Sequence, residues 1–149
     1  MVVRERSAGI IIFRREDNIV KYLFLKGEGG RLDLPKGNIE EKEDVLEAAR
    51  REAMEETGLG DLKIYPGFKK KVEYFYVRPD GQKVYKTVTY FLAETKSKDV
   101  KVSWEHKGYE WLTFDEAMNK IKYKSMKELL EEAENYRSKL FKSSLDRFF

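Results

Sequence analysis

The chain has 149 residues, of which 38% are charged and 41% hydrophobic, with a formal net charge of +3 that singles out no partner. A chain this long buries about 68–70% of its unfolded surface around one core, so a single domain spanning residues 1–149 is expected. With no cysteine and one histidine, disulfides, thiolate metal sites, cysteine nucleophiles and multi-histidine zinc clusters are excluded, and carboxylate chemistry is what remains.

In chain order, Ser7–Arg14 and Val20–Lys26 are β-branched and aromatic runs joined by the polar turn Arg15–Asn18, which predicts a hairpin or two neighbouring strands. Gly9, in the first run, fits either a bulge or a close backbone approach to a ligand. Gly27–Gly30 is a flexible connection, and Leu32–Leu34 is a short strand candidate leading into a Pro35-Lys36-Gly37 turn.

The stretch Gly37–Leu59 carries the densest information. It becomes a strong helix former and stops at Gly58, the residue type best suited to a left-handed helix end. Glu52, Glu55 and Glu56 stand at i, i+3 and i+4, so their carboxylates leave one face within a turn, while Val45, Leu46, Ala49, Ala53 and Met54 form an apolar stripe. Like charges so close disfavour the helix by about 0.2–0.5 kcal/mol per pair. A solvated face would tolerate that cost; a hard cation would repay it, and Mg2+ prefers oxygen ligands and shares its shell with phosphates. Arg51 is placed to clamp one of the carboxylates.

Beyond the helix, Leu62–Tyr65 is a short strand candidate punctuated by Pro66-Gly67. Phe68–Arg78 and Lys83–Glu94 alternate around Pro79-Asp80-Gly81, a clear hairpin signal. Lys69, Lys70 and Lys71 read as protection of an edge strand or as attraction for phosphate. Val100–Ser103 and Tyr109–Leu112 are further short strands, and two capping boxes, Thr113 with Glu116 and Ser125 with Glu128, announce two helices. The second helix carries a core stripe of Met126, Leu129, Leu130, Ala133 and Leu140. The aromatic tail Phe141–Phe149 packs on the core, meets another subunit or reaches the site. No apolar run approaches the roughly 18 residues a bilayer span requires, and no apolar signal core opens the chain, so a cytoplasmic protein without a membrane partner is expected. Abundant Lys and Glu without Cys also matches a thermophilic composition.

Read as G-x5-E-x7-R-E-U-x-E-E-x-G-U, with U apolar, the stretch supplies Gly37, Glu43, Arg51, Glu52, Ala53, Glu55, Glu56, Gly58 and Leu59, so every fixed position is filled. This resembles the Nudix box, the signature of hydrolases that cleave nucleoside diphosphates linked to another moiety. The resemblance implies an α+β architecture, an α/β/α sandwich with a mixed β-sheet between helices. It also implies Mg2+, or Mn2+ in its place, held by Glu52 and Glu56 with Glu55 and the Gly37 carbonyl assisting. Outside the box, Gly67-Phe68-Lys69-Lys70, Lys86-Thr87-Val88, Trp104-Glu105-His106, Tyr109-Glu110-Trp111-Leu112 and Tyr123-Lys124-Ser125-Met126 look like the asymmetrical diadenosine tetraphosphate hydrolases.

That likeness implies a dinucleoside polyphosphate substrate, bound by Lys36, Asn38 and Lys86 at the phosphates and by Tyr74 and Tyr123 around an adenine, with Glu105 as a further metal ligand or base. Each has a plainer alternative: a solvated loop for Glu105, a strand-edge lysine for Lys86, core packing for the tyrosines, and a structural place for His106. Asn38 departs from the family's usual histidine; it donates a hydrogen bond but carries no charge. Other phosphate-rich substrates (RNA 5' ends, nucleoside triphosphates, inositol pyrophosphates), or a silent nucleotide-binding module, are the competing readings. The expected assembly is a monomer or weak homodimer.

Overall fold

A computed structural model describes the backbone of residues 1–146 and the side chains as far as Lys142. Its elements are β1 (Val3–Glu16), β2 (Ile19–Lys26), β3 (Leu32–Asp33), β4 (Lys36–Asn38), α1 (Val45–Thr57), β5 (Lys63–Ile64), β6 (Lys70–Val77), β7 (Lys83–Glu94), β8 (Gly108–Leu112), α2 (Phe114–Lys120) and α3 (Lys124–Asp146).

Strand β1 is the spine of the sheet. It runs parallel to β7 from Val3 opposite Val84 to Phe13 opposite Glu94, and antiparallel to β2 and β4 on its other side. Strands β5 and β6 add antiparallel to β7, and β3 and β8 to β2, so the sheet is mixed. From Ser7 to Phe13, β1 is buried throughout, the pattern of a strand covered on both faces. Ala8, Ile10 and Ile12, with Phe91 and Ala93, pack against Ala48, Ala49 and Ala53 of α1. Ile11 and Phe13, with Val88, Tyr90 and Leu92, pack against Ala117 of α2 and Leu129, Leu130 and Ala133 of α3. Each fully buried Ile, Leu, Val or Phe among them contributes about 1.5–3 kcal/mol, and the alanines let the helices sit close on the sheet. The expected α/β/α layering is therefore observed.

Two expected hairpins form. Asp17 and Asn18 turn β1 into β2 with positive φ, and Arg78 N donates to Gln82 O across the Pro79-Asp80-Gly81 turn. Other expectations need correction. Lys36 and Gly37 are not a turn but part of β4, paired with β1 through Gly9 opposite Lys36. Gly9 is accordingly no bulge: a Cβ there would lie 2.6 Å from Pro35 O and 2.8 Å from the Tyr90 ring, so its smallness lets β4 close on β1. Val100–Ser103 forms no strand. The Thr113–Glu116 capping box is present in full, whereas α3 begins at Lys124, which puts Ser125 inside the helix. Of the apolar stripes, Met54 is 52% and Leu140 36% exposed, so neither joins the core. Phe141 lies under the Arg15 guanidinium, 5.2 Å from it, which packs the start of the tail against β1; Phe148 and Phe149 lie outside the described residues.

Candidate active site

Helix α1 is set by its ends. Asp44 caps it by accepting from Glu47 N at 2.8 Å, and Gly58, at φ 74°, closes it with its N–H donating to Met54 O. Alanines 48, 49 and 53 let the helix approach the sheet, which turns the Glu52 and Glu56 side towards β4. There the carboxylate of Glu56 accepts a 2.7 Å hydrogen bond from Lys36 N. Glu52 lies over Gly37, where a Cβ would stand 2.0 Å from its carboxyl carbon. Gly37 is thus the cradle of Glu52.

Arg51 organises the surroundings. Its Nε and Nη2 hold both oxygens of Glu43 at 2.6 and 3.1 Å, Nη1 reaches Glu52 at 2.9 Å and Glu55 at 3.2 Å, and Nη2 also donates to Asn38 O. The Glu43 bond is the main cause that holds the guanidinium still more firmly protonated than usual. Glu55 stays on the exposed side, tied among the described residues to Arg51 alone.

The two inner carboxyls are electrostatically unusual. Burial pushes Glu56 up to about 7, against the Lys36 hydrogen bond and with help from the charges of Glu52 and Glu105. Glu52 is raised as well, again chiefly by burial, although Arg51 opposes it. The charge of Glu105 acts on both in the same direction, as the weakest of the named influences. Among the described residues no three acidic groups close into a ready metal cage. The chemistry of the donors nonetheless suits a hard divalent cation: carboxylate oxygens that resist ionising when alone, and no thiolate or imidazole competitor among them.

Beside this cluster, a cavity of about 540 Å3 is walled by Arg31, Asp33, Lys36, Val72, Tyr74, Tyr90, Tyr123, Ser125, Met126 and Leu129. Tyr74 and Tyr123 are 39% and 60% exposed, which removes core packing as their role. Lys36 belongs to the cavity wall and, through its backbone N–H, to Glu56, so it joins the cavity to the carboxylates. Lys86 pairs across from Tyr74 in β6; burial, then the charge of Lys36, lowers its affinity for a proton, and Glu5 Oε2 stands 3.9 Å away. Asn38 does not wall the cavity: its amide oxygen accepts from Ser7 Oγ at 2.9 Å. Sequence reasoning missed Arg31, Asp33, Tyr90 and Ser125 as cavity residues. Of these, Ser125 carried a signal, as part of the Tyr123-Lys124-Ser125-Met126 segment, but was itself read as a helix cap.

A mixed sheet sandwiched between helices thus sets the carboxylates of α1, Glu56 buried and Glu52 partly so, beside an aromatic-walled cavity. The chain belongs to the NUDIX domain family, which matches residues 3–133. It is 38% identical over 144 residues to the pig (Sus scrofa) protein named bis(5'-nucleosyl)-tetraphosphatase (asymmetrical), covering 88% of this chain and 94% of the relative. The rat (Rattus norvegicus) protein of the same name is 36% identical over 143 residues, with the same coverage. Among solved structures, a C. elegans Ap4A hydrolase binary complex superposes with a TM-score of 0.79 at 27% identity, covering 90% of this chain and 98% of that one.

Proposed function

We propose that the protein is a divalent-cation-dependent hydrolase of dinucleoside polyphosphates, splitting diadenosine tetraphosphate and water into ATP and AMP. The observation that carries this reading is the continuity of the site: Lys36 walls a cavity with two exposed tyrosines and hands its backbone N–H to Glu56. A base stacked on the tyrosines therefore directs its phosphate chain towards the carboxylates. Stacking of this kind is worth about 1–3 kcal/mol per base and tolerates base identity. The relatives that bear the tetraphosphatase name, matched over most of both chains, support the same substrate class.

In this reading Tyr74 and Tyr123 grip the base, and Lys36 and Lys86 hold the phosphates, with the neutral Asn38 adding an amide donor. Glu52, Glu56 and Glu105, with the Gly37 carbonyl and Glu55 at the margin, would hold the cation, Mg2+ or Mn2+. When bound, the cation neutralises phosphate charge and makes a water more acidic. The water oxygen bonds to phosphorus as the bridging P–O bond breaks, and the electron pair of that bond stays on the departing phosphate. One carboxylate of the Glu52, Glu56 and Glu105 group takes the water's proton. Arg51 contributes by orientation: bound to Glu43 and Asn38 O, it fixes Glu52 and Glu55.

Product analysis tests the proposal. With Mg2+ or Mn2+, diadenosine tetraphosphate should yield ATP and AMP in equal amounts, and a chelator should stop the reaction. Intact dinucleotide alongside processed 5'-triphosphate RNA would overturn it.

A further inference from the structure

A second cavity flanks the aromatic wall. It is smaller, about 260 Å3, and lies beside the first; Arg31, Tyr123 and Met126 belong to both, so Arg31 stands in the partition between them. Its guanidinium is half exposed yet fixed: Nε and Nη2 each donate to an oxygen of Asp33 at 3.0 Å. The pair is built into the backbone at Gly27, where a Cβ would lie 2.8 Å from Arg31 Nη2 and 3.0 Å from Asp33 Oδ2.

Asp33 has a second partner. Its Oδ2 stands 3.5 Å from His106 Nε2, and the imidazole is nine-tenths buried with nothing hydrogen-bonded to Nδ1 among the described residues. His106 follows Glu105 directly, and the same loop is tied to β2 by Lys107 N donating to Lys26 O. One carboxylate therefore touches both the partition of the nucleotide cavity and the loop that carries Glu105.

We infer that Asp33 is a positioning residue that sets Arg31 against the substrate in the cavity partition and, through His106, sets the Glu105 loop against the helix carboxylates. The inference rests on the function proposed above. A charge-assisted two-bond grip is stronger and more directional than a single neutral bond, so an amide in its place loses the grip even though its volume is the same. Asparagine offers one acceptor oxygen where two are used, and turns an NH2 group towards a cation. Freeing Arg31 weakens binding; freeing His106 lets Glu105 drift from where it takes part in hydrolysis. The two losses have different kinetic signatures.

The experiment uses the whole chain, with Asp33→Asn, Arg31→Ala, the double variant and Gly27→Ala, diadenosine tetraphosphate with Mg2+ as the kinetic probe and AMP as a binding probe. Trp104, beside Glu105 and 92% exposed, reports on the loop by fluorescence anisotropy in a Trp111→Phe background. Arg31→Ala should raise KM about tenfold while lowering kcat much less, as loss of a binding contact does. Asp33→Asn should raise KM similarly, lower kcat by about a further tenfold, and lower the Trp104 anisotropy at an unchanged melting temperature. In the double variant KM should rise no further than in Arg31→Ala, because the two act as one unit. Gly27→Ala should reproduce Asp33→Asn by displacing the ion pair. KM effects that multiply in the double variant, or Trp104 anisotropy unmoved by Asp33→Asn, would overturn the inference. If the unaltered protein leaves diadenosine tetraphosphate intact, the proposed function fails by itself, and the AMP isotherms and Trp104 anisotropy still decide what Asp33 does.

Discussion

At the scale of single residues, the site depends on two close fits. Glu56 is 6% exposed, and its carboxylate oxygen faces the Lys36 amide at 2.7 Å. Glutamine keeps the volume and can still accept that hydrogen bond, but it can neither ligate a cation as an anion nor take a proton. Glu56→Gln should therefore lower kcat roughly 10³-fold or more with the fold intact, read from steady-state rates and circular dichroism. The second fit is Gly37. The nearest atoms to a methyl group there are the carboxyl end of Glu52, a flexible side chain that can swing aside, so the strand should survive with the carboxylate misplaced. Gly37→Ala should cost about 100-fold in kcat with a melting temperature within a few degrees of the parent, since small displacements at a reacting centre are costly. A Gly37→Ala protein as active as the parent would show that Glu52 does not need its place over β4.

At the scale of elements, Arg51 is what lets α1 carry three glutamates. Its five donors are all engaged, on Glu43, Glu52, Glu55 and Asn38 O, and the side chain is 24% exposed. Arg51→Met should destabilise the protein by about 2 kcal/mol in urea denaturation, because partly buried carboxylates lose their counter-charge. Arg51→Lys restores the charge but not the planar fork, and should recover stability more than kcat; full recovery of kcat would assign Arg51 a purely electrostatic role. Much of this was legible in the sequence because it is local. The helix, its Gly58 stop, the carboxylate face and the arginine all lie within one turn or two of each other. So do β7, which spans Lys83–Glu94 as expected, and the Thr113–Glu116 cap. What was hidden is pairing between distant segments. Pro35-Lys36-Gly37 reads as a turn until β1 is laid beside it, and no local signal joins Asp33 to His106 across the sheet. Tyr74 and Tyr123 were found through family resemblance; the residues alone left core packing open, and the exposure of these two removes it.

For the whole molecule, the raised carboxyls make stability depend on pH in an unusual direction. Glu56 titrates near 7 when folded and near 4.5 when unfolded, so between those values the folded state binds the extra proton. In the presence of a chelator, stability should therefore fall as pH rises from about 4.5 to about 7, by up to about 3 kcal/mol from this group, with burial of Glu52 adding in the same direction. Glu5, held below its ordinary value by Arg78, and Glu43, held there by Arg51, act oppositely, but their gain is complete once the pH passes their unfolded values near 4.5. The two effects occupy separate windows, so the falling limb can be read alone from urea midpoints between pH 5 and pH 8. Millimolar Mg2+ should restore stability at the upper end, because a cation that binds only the folded state stabilises it by mass action. In Glu56→Gln the limb should flatten and the response to Mg2+ should shrink with it. An equally steep limb in that variant would mean that the buried proton resides elsewhere, and an undiminished response to Mg2+ would mean that the cation is not held through Glu56.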